Sequence, residues 1–497
     1  MREQATRLIA LVVLLLGGAC IVFGHGERVS AASQQNRTTT IYLPIVHIRA
    51  TQPTSDLQIV HLGLYQSVQN HSNDVPLVAH KPALLRVYAQ ASTQSGTVPL
   101  AAVTVDAHRN GQLLGSISAD AEPVSVAPSV DDLDSTFNFN LPDAWLEGDV
   151  TLTATIDSPD AVPELNEANN ALQASFAFHA VPALDLTIVP IQYIDTVTGV
   201  TFYVAGHDPV SEWLLSAFPI SEVNVTIHEP LTFTGDLRQG GEWSRLLDAV
   251  TALWAVEAGP GSAHIYYGLV PNSTPSGDSW FGGGVSGLGW IGQRVSLGLD
   301  VGEFTGESAG HEIGHNFGRR HAPCGSPSGV DPHFPYPNAS IGVYGVDVTD
   351  DTLMDPEQTH DVMSYCGPEW VSDYTYKGLF QDQSVRGSRM GNRGEGLLVS
   401  ARLDGDKVES FAAYRLNQPF MPTDRSNGYQ VQLLDDKGIS LGVFPAELYQ
   451  AEETGVSTQM LLAHVPLAGL QADRVDSVRF LVGGALLVER TISDDLK

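Results

Sequence analysis

Basic residues are scarce in this chain. It carries 26 lysines and arginines against 57 aspartates and glutamates among 497 residues, which gives a formal net charge of −31. Charged residues make up only 17% of the sequence, so the imbalance comes from a shortage of cations. Such a surface repels nucleic acid and anionic membranes and favours solubility. We therefore expect no nucleic-acid partner.

Long apolar runs are rare as well. The one clear run covers residues 8–22, follows a positively charged start and precedes small residues at 29–31. Because it is short for a bilayer span, it predicts a signal peptide over residues 1–31, a secreted protein and no transmembrane span in the mature chain. Lipid anchoring at Cys20 is the alternative, although Gly17 stands where a lipobox prefers leucine.

Against this background, the stretch over residues 311–321 carries most of the chemistry and reads H-E-I-G-H-N-F-G-R-R-H. On a helix, residues four apart share a face, so His311 and His315 can approach one cation. Gly318 permits the sharp exit that ends the helix, and His321 supplies a third imidazole. Three imidazoles with a free fourth position are typical of catalytic zinc, whereas structural zinc sites have four protein ligands.

Glu312 follows the first of these histidines. From that position its carboxylate can reach a zinc-bound water without becoming a ligand, which is the role of a general base. The alternative is a surface helix that contains histidines by chance, but the third histidine and the glycine at fixed offsets disfavour it. We therefore predict a Zn²⁺ cofactor bound by the three histidines.

The segment resembles the zinc signature of the metzincin metallopeptidases, whose second hallmark is a downstream methionine turn. Residues 361–366 match that turn and read D-V-M-S-Y-C. The segment also resembles secreted bacterial metzincins related to the mucin-degrading group. The resemblance implies a secreted zinc endopeptidase that acts on extracellular proteins or glycoproteins, with Met363 as an apolar floor beneath the metal. It also leaves two roles open for Tyr365, either contact with the metal or oxyanion or simple packing.

Cysteine is the scarcest informative residue, with three in the chain. Once a signal peptide is removed, Cys324 and Cys366 remain, one three residues after His321 and the other three after Met363. In an oxidising compartment this pair is expected to form a disulfide between the end of the metal helix and the methionine turn. Two free buried thiols are the alternative. No cysteine precedes the metal motif in the mature chain, so a propeptide thiolate cannot block the zinc.

The remaining chain divides by its periodicity. Residues 32–55 are predicted to be a tether, and alternating apolar and polar residues over 56–180 predict a β-sandwich. Within it, residues 162–170 resemble the signature loop of adhesion-related domains of immunoglobulin type. That resemblance suggests a surface or glycan contact, although a turn of asparagines explains the same run without a ligand.

The catalytic domain is predicted to cover residues 183–390, because an apolar stripe at helical spacing over 243–254 lies between predicted strands at 184–191, 264–270 and 290–297. Alternation returns over 396–497 and predicts a second sandwich. The expected fold class is therefore multidomain, with an α+β or mixed α/β metzincin domain flanked by two all-β sandwiches.

An exported adhesin or glycan-binding protein with an inactive metzincin-like core is the alternative function. The two flanking sandwiches favour it. The intact glutamate and histidines favour the enzyme, because a decayed site commonly loses one of them.

Overall fold

The computed structural model describes residues 53–93, 98–259, 262–274, 276–386, 392–404, 407–420, 428–453, 455–467 and 474–492. The predicted signal peptide, Cys20 and nearly all of the predicted tether lie outside these residues.

Residues 55–179 form two sheets that share one core. One sheet has the order β1-β3-β8, the other has the order β2-β10-β9-β5-β6, and β4 pairs with β7. Their alternating residues, such as Val103 and Val105 on β5, point into the space between the sheets and are fully buried. The bounds of these strands are β1 Ser55–Tyr65, β2 Leu77–Val78, β3 Leu84–Thr93, β4 Leu100–Ala101, β5 Val103–Arg109, β6 Gln112–Ser118, β7 Glu122–Pro123, β8 Phe137–Asn140, β9 Gly148–Ile156 and β10 Ala171–His179.

The middle of the chain builds a further sheet around β11. The order is β12-β11-β15-β17-β16, with β13 and β14 also paired to β11, and β15 runs parallel to both β11 and β17. Helix α2 lies against this sheet with a fully buried stripe that includes Trp243, Leu247 and Val250. The bounds are β11 Leu184–Asp195, β12 Thr201–Phe202, α1 Asp208–Ala217, β13 Val223–Ile227, β14 Leu231–Gly235, α2 Gly240–Glu257, β15 Ile265–Pro271, β16 Gly287–Gly289, β17 Val295–Asp300 and α3 Thr305–Asn316.

Between α3 and the fourth helix, α4, the chain is mostly irregular and contains two short strand pairs. The bounds are β18 Gly345–Asp347, β19 Thr352–Met354, β20 His360–Asp361, β21 Glu369–Trp370 and α4 Asp373–Arg386. Short 3-10 turns lie at Leu133–Ser135, Asp143–Trp145, Gly302–Phe304 and Pro337–Ala339.

The C-terminal part is a single antiparallel sheet with the order β23-β22-β26-β25-β24-β27-β28. One face encloses its own apolar core, and the other packs on α2, where Val456 and Met460 join the cluster of Trp243 and Trp254. The bounds are β22 Asn392–Asp404, β23 Lys407–Phe420, β24 Tyr429–Leu434, β25 Ser440–Glu453, β26 Val456–Pro466, β27 Ser477–Val482 and β28 Ala485–Thr491.

The predicted fold class is wrong. The described residues contain 28 strands and four α-helices, so the molecule is mostly β and not an α+β or mixed α/β domain between two independent sandwiches. The C-terminal sheet is also not a separate sandwich, because it shares a core with α2. Alternation identifies strands but does not show what each face of a sheet packs against, and that is where the prediction failed. Among the described residues, no helix is both long and apolar enough to cross a membrane.

Candidate metal centre

Helix α3 lies on the sheet beside β17 and carries three of the predicted site residues. His311, Glu312 and His315 are all buried, with exposed fractions of 7%, 3% and 1%. The C-terminal end of the helix is fixed by Asn316, whose side-chain amide donates to the carbonyl of Val295 at 2.9 Å. The helix therefore presents these side chains from a rigid support.

The exit from α3 is a Schellman motif built on Gly318. This residue has a φ of +79°, a left-handed conformation that favours glycine. Its amide donates to the carbonyl of His315 at 2.8 Å, and the amide of Arg319 donates to the carbonyl of Gly314 at 3.1 Å. The chain thus reverses direction, and His321 arrives beside the two helical histidines.

A backbone carbonyl orients each imidazole. The Nδ1 atoms of His311, His315 and His321 lie 2.7, 2.8 and 2.5 Å from the carbonyl oxygens of Val362, Arg319 and Ser328. Because a carbonyl can only accept a hydrogen bond, each Nδ1 carries a proton, and the Nε2 of each ring is the nitrogen that can offer a lone pair to a metal when the ring is neutral. The Nε2 atoms of His315 and His321 lie 3.2 Å apart, so the lone pairs converge on one point.

The methionine turn lies beneath the helix. Met363 is 1% exposed, and its thioether sits directly against Gly314, where any side chain would collide with the sulfur. Asp361 holds the turn, because its carboxylate accepts hydrogen bonds from the amides of Met363 at 2.9 Å and Ser372 at 3.0 Å. This turn also contains the Val362 carbonyl that orients His311.

The predicted disulfide between Cys324 and Cys366 is confirmed, with 5.7 Å between the Cα atoms. Two backbone hydrogen bonds run alongside it, from Ala322 to Met363 at 2.8 Å and from Tyr365 to Cys324 at 3.1 Å. The segment that follows His321 is therefore tied to the methionine turn by one covalent and two polar links.

Sequence reasoning missed a fourth member of the site, Glu453. It is the last residue of β25, is 7% exposed and lies 132 residues after His321. Its Oε1 atom is 3.4, 3.6 and 3.1 Å from the Nε2 atoms of His311, His315 and His321. Together the three histidines and Glu453 form a buried group that could bind a metal ion. No spacing signal connects a strand end to a motif so far upstream.

The charges in this group are strongly coupled. Burial opposes ionisation of Glu453, but contacts with three imidazoles hold the pKa of this carboxyl well below its usual range. Burial opposes protonation of His311 too, yet the Glu453 carboxylate outweighs it and raises the pKa of His311 to about 10. Burial lowers the pKa of His315 to about 4, so that ring is neutral at pH 7.

Glu312 packs against β16. Its side chain is in close contact with Gly287 and Gly289, where a Cβ atom would not fit. Its Oε2 atom makes no hydrogen bond to any described residue. Burial, reinforced by the Glu453 carboxylate, raises the pKa of Glu312 well above its usual value. A cation among the imidazoles would counteract this shift and favour the ionised form.

Tyr365 brings its hydroxyl to the edge of the same group. The hydroxyl lies 3.4 Å from Nε2 of His321 and donates a hydrogen bond to Oε2 of Glu453. The predicted role of this phenol toward the metal or the oxyanion stays a prediction.

A cavity of about 480 Å³ opens beside the histidines. Its lining includes His311, Glu312, Tyr365 and Glu453, together with Ser286 near the edge strand β16 and Glu369 after the methionine turn. Burial raises the pKa of Glu369 to about 8. The cavity therefore borders the buried group of three histidines and Glu453.

No protein-family model matches this sequence, and a search of curated proteins gives no match. Among solved structures, the CARDB domain of a Pyrococcus furiosus protein, solved with di-metal ions, covers 27% of this chain and 99% of its own, with 22% identity and a TM-score of 0.19. A β-glucuronidase of Parabacteroides merdae covers 45% of this chain and 25% of its own, with 12% identity and a TM-score of 0.15. A β-glucuronidase of glycoside hydrolase family 2 covers 88% and 62%, with 8% identity and a TM-score of 0.18. Because these TM-scores are far below 0.5, the similarities carry no argument about the function of this chain.

Proposed function

We propose that this protein is a secreted zinc-dependent endopeptidase that hydrolyses peptide bonds in extracellular proteins or glycoproteins. One observation carries the proposal. Three imidazole Nε2 atoms converge beside a buried glutamate, Glu312, whose Oε2 has no hydrogen-bond partner among the described residues, and the group borders a cavity.

The donor set fits zinc. Neutral imidazole nitrogens and one carboxylate oxygen are ligands that Zn²⁺ accepts in a tetrahedral arrangement. The carbonyls that orient each ring are the outer partners that metal-ligating histidines commonly have. When bound, zinc would supply a Lewis acid that polarises the scissile carbonyl and lowers the pKa of water.

The chain's own residues would do the rest. Glu312 would take the proton of the attacking water and pass it to the departing amine. The Tyr365 hydroxyl would donate a hydrogen bond to the oxyanion of the tetrahedral intermediate. The edge strand β16 would pair with the extended backbone of the substrate, since a peptide can add to a sheet edge through main-chain hydrogen bonds.

Secretion is proposed from the amino-terminal sequence. The disulfide supports it, because such bonds form and persist in oxidising compartments outside the cytoplasm.

Substitution of the base and of a ligand tests the proposal. We expect Glu312→Ala to retain zinc but to cleave casein and mucin at least about 100-fold more slowly, because it removes the proton acceptor alone. His315→Ala should lose both zinc and cleavage. Zinc content, circular dichroism and cleavage rates with and without chelator check these outcomes, and a Glu312→Ala protein that cleaves at the wild-type rate would contradict the proposed role.

One observation favours the second candidate, an exported adhesin or glycan-binding protein with an inactive core. Glu453 supplies a fourth protein ligand, and four protein ligands are typical of structural zinc sites. The two candidates differ in a simple property: the enzyme shows chelator-sensitive proteolysis, whereas the binding protein shows none with any substrate or after any change at Glu453.

A further inference from the structure

The hairpin of β25 and β26 reaches into the metal-binding group from the far end of the chain. Glu453 on β25 pairs with Val456 on β26, so Glu453 lies at the tip of the hairpin. The tip approaches the edge of the middle sheet, where the amide of Ile291 donates to the carbonyl of Gln450 at 2.8 Å. The carboxylate of Glu453 therefore comes in beside β16, along the edge where the proposed substrate would bind.

The distances around the carboxylate have the dimensions of a coordination shell. In a regular tetrahedron the edge is about 1.6 times the distance from centre to vertex, so donors about 2.0–2.1 Å from zinc stand about 3.3–3.4 Å apart. The Oε1 atom of Glu453 lies 3.1, 3.4 and 3.6 Å from the three Nε2 atoms. The Nε2 atoms of His315 and His321 are 3.2 Å apart. These four edges match the expected length, whereas an ordinary ion pair would bring the oxygen close to only one nitrogen.

We propose that Glu453 is the fourth metal ligand of the resting protein and that it keeps the site closed to substrate until the carboxylate withdraws. The closure rests on the proposed peptidase function, but the ligation does not. A carboxylate at the fourth position occupies the place that a catalytic site leaves for water and the scissile carbonyl. The closing ligand comes from the C-terminal sheet, where Glu453 is the last residue of β25.

Two contacts position the carboxylate. The Tyr365 hydroxyl donates to Oε2 and leaves Oε1 directed at the imidazoles. The strand opposite Glu453 is held by the core that β26 shares with α2, where Val456, the partner of Glu453 across the hairpin, is 7% exposed. A rotation of the Glu453 side chain would separate Oε2 from Tyr365 and Oε1 from the imidazoles without disrupting that core. The site can therefore open to substrate while the C-terminal sheet stays folded.

The experiment uses the full secreted chain and compares Glu453→Gln and Glu453→Ala with Glu452→Gln, which changes the neighbouring carboxylate on the opposite face of the strand. Three properties are measured: zinc affinity by competition with a chelator, binding of acetohydroxamic acid to the cobalt-substituted protein by its visible spectrum, and cleavage of casein. Circular dichroism establishes that each variant is folded.

We expect both Glu453 variants to bind zinc at least about tenfold more weakly and acetohydroxamic acid at least about tenfold more tightly than wild type, and to cleave casein faster, while Glu452→Gln stays unchanged. Equal zinc affinity and equal hydroxamate binding in wild type and Glu453 variants would overturn the proposal. If the zinc and hydroxamate effects occur but no variant cleaves any substrate, the ligand assignment stands and the peptidase function fails.

Discussion

Single residues decide which imidazole nitrogen atoms face the centre of the buried group. Each of the three histidines is held through Nδ1 by a backbone carbonyl. The spacing of His311 and His315, together with Gly318, is a local sequence signal, because helix periodicity and a left-handed exit are properties of a few consecutive residues. This part of the site could be predicted from the sequence for that reason.

Gly318 provides a test at this scale. An alanine there must adopt a left-handed conformation, so we expect Gly318→Ala to lower the free energy of unfolding by about 1–2 kcal/mol and to weaken zinc binding, since His321 follows three residues later. Gly318→Asn is the matched control, because asparagine tolerates this conformation better. Urea unfolding and chelator competition measure both effects. Alanine and glycine proteins with equal stability and equal zinc affinity would contradict the expectation.

Glu453 shows the limit of reasoning from single residues. It ends a strand in a sheet that begins more than seventy residues after α3, and its sequence neighbours resemble any polar hairpin turn. Its place beside His321 depends on how one sheet packs on α2, which is a long-range property. The one feature that indicates the role of Glu453 is that it is a buried acidic residue at the end of a strand. Burial of this kind cannot be predicted from the alternation of apolar and polar residues alone.

The boundary of one predicted strand differs from the structure. The strand predicted over residues 290–297 begins only at Val295. The preceding residues form a turn whose polar backbone groups are bound by the end of α3: the amide of Gly292 donates to the carbonyl of His315 at 2.8 Å, and the Asn316 side chain donates to the carbonyl of Trp290 at 3.2 Å. The end of α3 is thus a hydrogen-bond partner of this turn, together with Gln450 of β25, and periodicity does not reveal such partners.

The disulfide acts at the level of structural elements, because it connects the segment after His321 to the methionine turn. It closes a separation of 42 residues, for which chain entropy predicts a stabilisation of about 4 kcal/mol. We expect the double variant Cys324→Ala, Cys366→Ala to lose up to that amount of unfolding free energy. It should also bind zinc more weakly, because the tie between the segment after His321 and the methionine turn is gone.

The control for the disulfide is the wild-type chain treated with a reducing agent, which should reproduce the loss of stability without any change of sequence. Urea unfolding and zinc competition provide the measurements. If the double variant matched the oxidised wild type in both, the disulfide would have no role in holding the site.

The whole molecule assembles the site by docking its parts. The N-terminal sheets contact the middle region where the amide of Val346 donates to the carbonyl of Ser67 at 2.8 Å and the indole of Trp370 donates to the same carbonyl at 3.1 Å. The C-terminal sheet packs on α2 from another side. Two flanking all-β sandwiches were predicted because each segment alternates. Alternation did not reveal that one face of the C-terminal sheet packs on α2, because a docked face contains the same kinds of apolar residues as the core of a sandwich.

We expect Lys81 to make this docking sensitive to pH. It is 1% exposed, and its ammonium group donates to the carbonyls of Leu215 and Ser216 in the last turn of α1, the latter at 3.1 Å. Burial lowers the pKa of Lys81 from 10.5 to about 7, and only the charge of Asp347 opposes the shift. Between pH 7 and 10.5 the unfolded chain therefore holds a proton that the folded chain has released, so this residue makes stability rise with pH.

We expect the free energy of unfolding of the wild type to increase from pH 7 to pH 9 by roughly 2 kcal/mol more than that of Lys81→Met, since one pKa unit corresponds to about 1.4 kcal/mol. Urea unfolding at the two pH values gives this difference of slopes, and it does not depend on how much stability the substitution itself removes. Methionine keeps the length of the side chain and has no proton to lose in this range, so it isolates the titration from the packing. Parallel pH dependences in the two proteins would mean that Lys81 stays charged in the folded state, and the contact between the N-terminal sheets and α1 would then hold a buried ammonium ion at every pH tested.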